Sequence, residues 1–481
     1  MPNNPRFYFA LISTAAALGI GNIFLYPYFS SRITGLFFIP YLIALVIVGV
    51  PLLILEFSIG KYFNKNVVDL FAKVRKWFSG IGWLMVFNAF IVMSFYAVIL
   101  SWHIIYLFVT FGLQWKSNAN SYFFSNVLQV SNDAGNFAKF SLPVFIALIF
   151  AWIAVFFCIR KGFESLKRAF FVILPLFVAL MLFFMFYSLS LDNAVNGIRY
   201  FLKPNFSALI HLNVWLNAFS LALLSLGLSF GMMVAFGRKN ENGFIIGNSF
   251  AVVIFKVLAG IAAGFVIFGI LGFLSAKEST GIQGLVSSQS TSSFTILSRA
   301  LPFFYKPALL SFLFFIFLSI FYLLGTSALA YSISHVLVHK FKTRHINAAI
   351  IVAGLGFLFG LLFALKPGFY IMDIVSHFVA YNILIAILLE LIAIGWFSNS
   401  EKIMNFINQN SMVKIGGVWR FMIRYIIPLI VLSVIFFKAR LDLIKPYNNY
   451  PWWALLAFGV GTVAVPLVSA FLMPQKILDR R

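Results

Sequence analysis

The feature that most constrains this chain is a recurrence: roughly twelve apolar stretches of about 20 residues each follow one another from end to end, joined by short polar links. They begin near Phe7, Phe37, Gly82, Leu142, Ala169, Leu212, Phe244, Pro307, Ile346, Phe369, Phe421 and Trp452. A helix of about 20 apolar residues matches the hydrocarbon thickness of a bilayer, where only helices and closed barrels satisfy their own backbone. Continuous apolar runs of that length suit the helix. The chain therefore reads as an all-α membrane protein of about 12 transmembrane helices. Charged residues make up 10% of it, against about 25% in soluble domains, and the polar links leave no room for a soluble domain. One membrane domain is expected over residues 1–481.

The net charge of +23 does not point to nucleic acid, because a nucleic-acid binder gathers its basic residues on one solvated face. Here they occupy links that alternate between the two membrane sides. With Arg6 on the cytoplasmic side, the basic runs around Lys61 to Lys76, Arg160 to Arg168, Arg238 to Lys239 and Lys340 to Arg344 share that side, as the positive-inside rule requires. Both termini are then cytoplasmic, in a bacterial-type inner membrane. Cys158 is the single cysteine, so no intrachain disulfide forms. The first apolar stretch has no A-x-A-like cleavage site and reads as a retained span. No HExxH or other metal-ligand spacing is present, and the six histidines are scattered. Neither an intramembrane enzyme nor, without a P-loop, an ATP-driven pump is expected.

Two stretches concentrate helix-weakening residues at mid-membrane: Ala17-Leu18-Gly19-Ile20-Gly21-Asn22 in the first span and Ser225-Leu226-Gly227-Leu228-Ser229 in the sixth. The offset between them is an odd number of spans, so the second would run inverted relative to the first, as in transporters built from inverted repeats with broken helices. The plainer reading is that these small residues only allow close helix packing. The long links near residues 113 to 140 and 276 to 306, rich in Ser, Asn and Gly, are expected to form short helices over the transport path.

The same residues carry a resemblance. Gly19-Ile20-Gly21-Asn22-Ile23-Phe24-Leu25-Tyr26-Pro27-Tyr28, then Phe38-Ile39-Pro40-Tyr41, then Gly49-Val50-Pro51-Leu52 with Glu56, are similar to the GLGNxxRFPY, NGGGAFxxPY and GIPLxxxE motifs of the neurotransmitter:sodium symporters, with the NGGG run reduced to Ile33-Thr34-Gly35-Leu36. The likeness continues through Tyr96 with Ser101-Trp102, Asn196-Gly197 to Lys203-Pro204, Phe230-Gly231, Ala263 to Phe268, Gly325-Thr326-Ser327 and Arg424-Tyr425 with Pro428. It covers nearly the whole chain in co-linear order.

What the resemblance implies is two inverted five-helix repeats (about 6–190 and 211–397) with helices one and six broken, plus two C-terminal helices (about 419–474). Substrate and sodium would lie where those helices unwind. By position, the substrate carboxylate would meet the backbone N–H groups of Ile20 and Gly21 and the Tyr96 hydroxyl. Its amino group would meet the carbonyls of Leu224, Ser225 and Gly227. Val92, Phe230 and Tyr331 would wall the side-chain pocket. Amine-selective relatives place an Asp where this chain has Gly19, so a substrate with its own carboxylate is implied, an amino acid before a monoamine. One sodium site maps to the carbonyls of Ala15, Leu18 and Leu323 and the hydroxyls of Thr326 and Ser327. Both hydroxyls could instead bond back to their own helix.

The chain also departs from the family. The Arg and Asp of the outer gate are replaced by Leu25 and Val375, although Asp373, two residues away, leaves a shifted pairing open. The Gln one turn before Ser225 is Leu221. Most informative is Lys256, which falls on the Asn or Asp that ligates the other sodium. It lies about 12 residues into its helix, roughly 18 Å at 1.5 Å per residue, near the middle of a ~30 Å core. Its ammonium would take the place of that sodium, held by the Ala17 carbonyl and the side-chain oxygens of Asn22 and Ser225.

The function that follows is a secondary transporter of an amino acid or similar zwitterion, driven by sodium through one site and needing no organic cofactor. A lysine that gave up its proton during the cycle would make the carrier proton-coupled instead. A transporter-like receptor that binds the solute without moving it is the reading from a different class.

Overall fold

The computed structural model describes residues 5–20, 37–130, 140–240, 244–285, 297–409, 411 and 413–473. Among them the chain is helical, with one isolated bridge between Phe140 and Leu365. The principal helices are α1 (Pro5–Ile20), α2 (Phe38–Phe63), α3 (Ser79–Val109), α4 (Leu142–Ile159), α5 (Phe163–Leu189), α6 (Leu212–Ser225) and α7 (Met232–Arg238). They continue with α8 (Ile245–Lys277), α9 (Pro307–Phe341), α10 (His345–Ala364), α11 (Gly368–Gly395), α12 (Ile427–Ile444) and α13 (Trp452–Leu472).

Ten helices among the described residues are long and apolar enough to cross a membrane. They account for every apolar stretch except the first and the sixth, the two in which a break is expected. The first is described only to Ile20, so a break at Gly21 and Asn22 lies outside the described residues. The sixth is split into α6 and α7.

The centre of the bundle is α3 packed along α9, with α1 against α8 and α9. In α3 the most apolar window is 83% buried, whereas in α5 and the two C-terminal spans it is 22% buried. Lipid must cover the remainder. Two prolines inside the spans follow widened turns: Leu45–Gly49 precedes Pro51, and Met422–Ile426 precedes Pro428. Proline offers no N–H and crowds the carbonyl four residues back, and a one-residue π expansion relieves both.

The long links near residues 113 to 140 and 276 to 306 do contain short helical turns, among them Tyr122–Val127 and Ile282–Leu285. They are tied together by the Trp115 indole N–H, which donates to the Ser298 carbonyl at 2.9 Å. Residues 131–139 and 286–296 lie outside the description. Before α6, a short amphipathic helix, Ala194–Leu202, lies across the end of α8. Gly197 makes this possible, because a Cβ there would fall 1.7 Å from the Phe268 carbonyl oxygen. The segment Ala194–Ile210 turns 117° into α6.

Candidate substrate and ion site

The break between α6 and α7 is built by backbone conformation. Gly227, Ser229 and Gly231 have φ of 72°, 58° and 71°, and no right-handed helix passes through three left-handed residues in five. The peptide groups freed by the break are captured by side chains from other helices. The Ser229 N–H donates to Glu56 Oε1 of α2 at 2.7 Å, and its hydroxyl donates to Glu390 Oε2 of α11 at 3.2 Å. The Ser332 hydroxyl of α9 donates to the Phe230 carbonyl at 2.7 Å. Both carboxyls are fully buried. Irregular backbone at this depth survives only when protein groups replace the lost helix bonds. The last carbonyls of α6, those of Leu224 and Ser225 among them, are left without intrahelical donors, as at any helix end.

Glu390, which accepts from Ser229 at the break, is not among the residues expected at the site, and Glu56 is expected only as part of a motif. The signal was available, since an acid inside an apolar span is costly enough to mark a role by itself.

The end of α1 meets α9 through two glycines. A Cβ on Gly19 would lie 2.3 Å from the Gly325 nitrogen, so the two backbones are in contact. Ala15 and Leu18 are buried on α1, while Thr326 and Ser327 are fully buried on α9 and Leu323 is half-buried. Thr326 donates its hydroxyl proton to the Tyr322 carbonyl at 2.7 Å, the back-bond to its own helix. That bond uses the proton and leaves the oxygen lone pairs available to a cation. The Ser327 hydroxyl is buried without an N or O partner among the described residues and has the weakly donating Cys158 thiol beside it. A buried hydroxyl of this kind suits a hard cation such as sodium.

Tyr96 of α3 sits over the same contact. Its ring lies 3.3 Å from where a Gly325 Cβ would be and packs edge-on to Tyr322 at 5.4 Å. Val92, one turn earlier on the same face, is buried, as is Phe230. Lys256 of α8 reaches α1, and its ammonium donates to the Ala17 carbonyl at 3.1 Å. The lysine is 8% exposed and Ala17 is fully buried.

Other expected site residues have different neighbours. The Ser225 hydroxyl lies 3.4 Å from the Tyr41 hydroxyl of α2. Tyr331 stacks on Phe236 of α7 at 5.8 Å and 7° from parallel, with Phe163 and His335 around it. Just beyond, Arg238 donates to Asn64 Oδ1 at 2.8 Å and lies 3.3 Å from His335 Nε2. Asp373 has its carboxylate under the link between α12 and α13, where it accepts from Tyr447, Asn448 and Tyr450 at 3.2, 2.9 and 2.9 Å. Val375 is buried about 200° further around α11. The carboxylate nearest the expected gate position is thus engaged by that link. Gly21, Asn22 and Leu25 lie outside the described residues, and of Ile20 only the backbone is described.

Comparison with known proteins gives the family. A family model, that of the sodium:neurotransmitter symporter family, matches residues 3–122 and 113–478. An uncharacterized sodium-dependent transporter of Methanocaldococcus jannaschii is 30% identical over 479 residues, covering 98% of this chain and 96% of its own length. The sodium- and chloride-dependent GABA transporter 2 of Rattus norvegicus is 25% identical over 515 residues, covering 97% of this chain and 85% of its own. The creatine transporter of Torpedo marmorata is 24% identical over 492 residues, covering 92% and 80%.

Proposed function

The chain belongs to the sodium:neurotransmitter symporter family, and from that premise we propose that it is a secondary active transporter of an amino acid or similar small zwitterion, coupled to a single sodium ion. Members of this family are sodium-dependent membrane transporters and not enzymes. Under this reading sodium binds between α1 and α9, at the carbonyls of Ala15, Leu18 and Leu323 and the hydroxyls of Thr326 and Ser327. The Lys256 ammonium stands where the family binds a second sodium. The observation that carries the proposal is the Lys256 contact with the Ala17 carbonyl, because it brings a cation to the mid-membrane end of α1. An ammonium at that point supplies permanently the positive charge that an anionic substrate carboxylate needs.

The carboxylate itself would bind the N–H groups of Ile20 and Gly21 and the Tyr96 hydroxyl. The amino group would meet the carbonyls of Leu224, Ser225 and Gly227, with Val92, Phe230 and Tyr331 around the side chain. The two inverted five-helix repeats, and an orientation with both termini cytoplasmic in an inner membrane, belong to the same proposal. The distribution of basic links supports that orientation.

The deciding experiment is gradient-driven uptake in proteoliposomes together with a thermal-shift screen of amino acids, with and without sodium. A true ligand stabilises by about 2.7 kcal/mol at 100 times its Kd. Lys256→Asn is expected to steepen the sodium dependence by recreating an oxygen ligand, and Lys256→Met to lose carboxylate binding at any sodium concentration. Wild-type substrate binding by Lys256→Met would make the lysine structural. Thr326→Ala combined with Ser327→Ala is expected to abolish the sodium response, and retention of that response would reject the site.

A further inference from the structure

The short helix Ala194–Leu202 is seated on α8 by its Gly197 face. Its other face does not close against protein. Leu189, at the end of α5, together with Val195, Ile198 and Leu202, walls a trough of about 640 Å³, within the range of small-ligand cavities. Three of those four side chains are exposed. Further along the same link, Phe206 and Ile210 are 69% and 84% exposed. Water does not cover such a surface stably, and its place at the end of two spanning helices, α5 and α8, puts it at the hydrocarbon boundary.

Two cations, Arg199 and Lys203, stand one turn apart on the rim of this trough. Neither takes part in an ion pair among the described residues, and no acid lines the trough. Asp192, the nearest acid in sequence, precedes the short helix. Long basic side chains at a membrane boundary lay their stems on apolar surface and present their charge at headgroup depth. A water-soluble zwitterion would leave the aliphatic walls unmet, and a neutral lipid would leave the cations unmet.

We propose that this trough is a binding site for an anionic phospholipid, with the phosphate between Arg199 and Lys203 and an acyl chain along Leu189, Val195 and Leu202. The site lies apart from the substrate path and does not depend on the transport reading. The segment from Asn196 to Lys203, conspicuous in the sequence but without a part in transport, then has two tasks: Gly197 docks the short helix, and its neighbours hold lipid.

The test is native mass spectrometry of the full-length detergent-purified protein titrated with phosphatidylglycerol or phosphatidylcholine. Phosphatidylglycerol is expected to be retained in preference to phosphatidylcholine. Arg199→Ala with Lys203→Ala is expected to weaken it about thirtyfold, about fivefold for each cation removed. Val195→Trp, which fills the trough and spares both cations, is expected to remove the lipid as well. Equal retention of the two lipids by the wild type, or unchanged retention by either variant, would overturn the proposal. So would displacement of the lipid by inorganic phosphate at equal concentration, which would reduce the site to a phosphate contact.

Discussion

Gly19 at the end of α1 and Gly325 in α9 touch backbone to backbone, and a Cβ on Gly325 would lie 2.2 Å from the Gly19 carbonyl oxygen. Leu18 and Thr326, both offered to the proposed sodium site, are the chain neighbours of this pair.

Gly325→Ala cannot be absorbed by a rotamer change, since the atoms it would overlap, the Gly19 carbonyl oxygen and carbon, are main chain. The helices must separate, at a cost of about 1–3 kcal/mol for overpacking. The sodium-dependent rise in melting temperature, measured against choline, is expected to disappear. A variant that keeps the full sodium response would show that the α1 and α9 contact does not govern the site.

Glu56 holds Ser229 by its backbone N–H, in a left-handed conformation that costs a non-glycine residue about 1–2 kcal/mol. Glu56→Gln keeps a carbonyl acceptor and is expected to retain most of the stability. Glu56→Leu strands a buried N–H, a penalty of about 1–3 kcal/mol, and is expected to lower both melting temperature and uptake. Equal melting temperatures for the two variants would mean that the hydrogen bond does not maintain the break.

Asp373 secures the link between α12 and α13 through three donors. Hydrogen bonds to a charged group contribute about 1.5–3 kcal/mol each, and Asp373→Asn weakens all three. Limited proteolysis of the link around Tyr447 to Tyr450 is expected to accelerate, while substrate binding keeps its sodium dependence. Loss of sodium-dependent binding with the link still protected would return Asp373 to the gate.

Membrane-spanning architecture was legible because hydropathy is a local property: about 20 apolar residues in sequence already specify a span. The break in the sixth stretch was legible for a related reason. Gly227 and Gly231 permit left-handed backbone whatever surrounds them. Lys256 stood out as a charge in an apolar run, and the family resemblance suggested what it replaces.

The partners of these residues were a different matter. Lys256 meets a carbonyl 239 positions away, and Ser229 meets carboxyls 173 and 161 positions away. The Ser225 hydroxyl has that of Tyr41, 184 positions away, within reach, and the Asp373 carboxylate bonds the link beyond α12. Sequence by itself determined which segments enter the membrane and where one of them cannot stay helical, because both follow from the chemistry of adjacent residues. Tertiary structure alone decided which polar groups satisfy one another inside. In a low-dielectric interior every buried donor needs an acceptor, and which acceptor it finds depends on the helices that become neighbours.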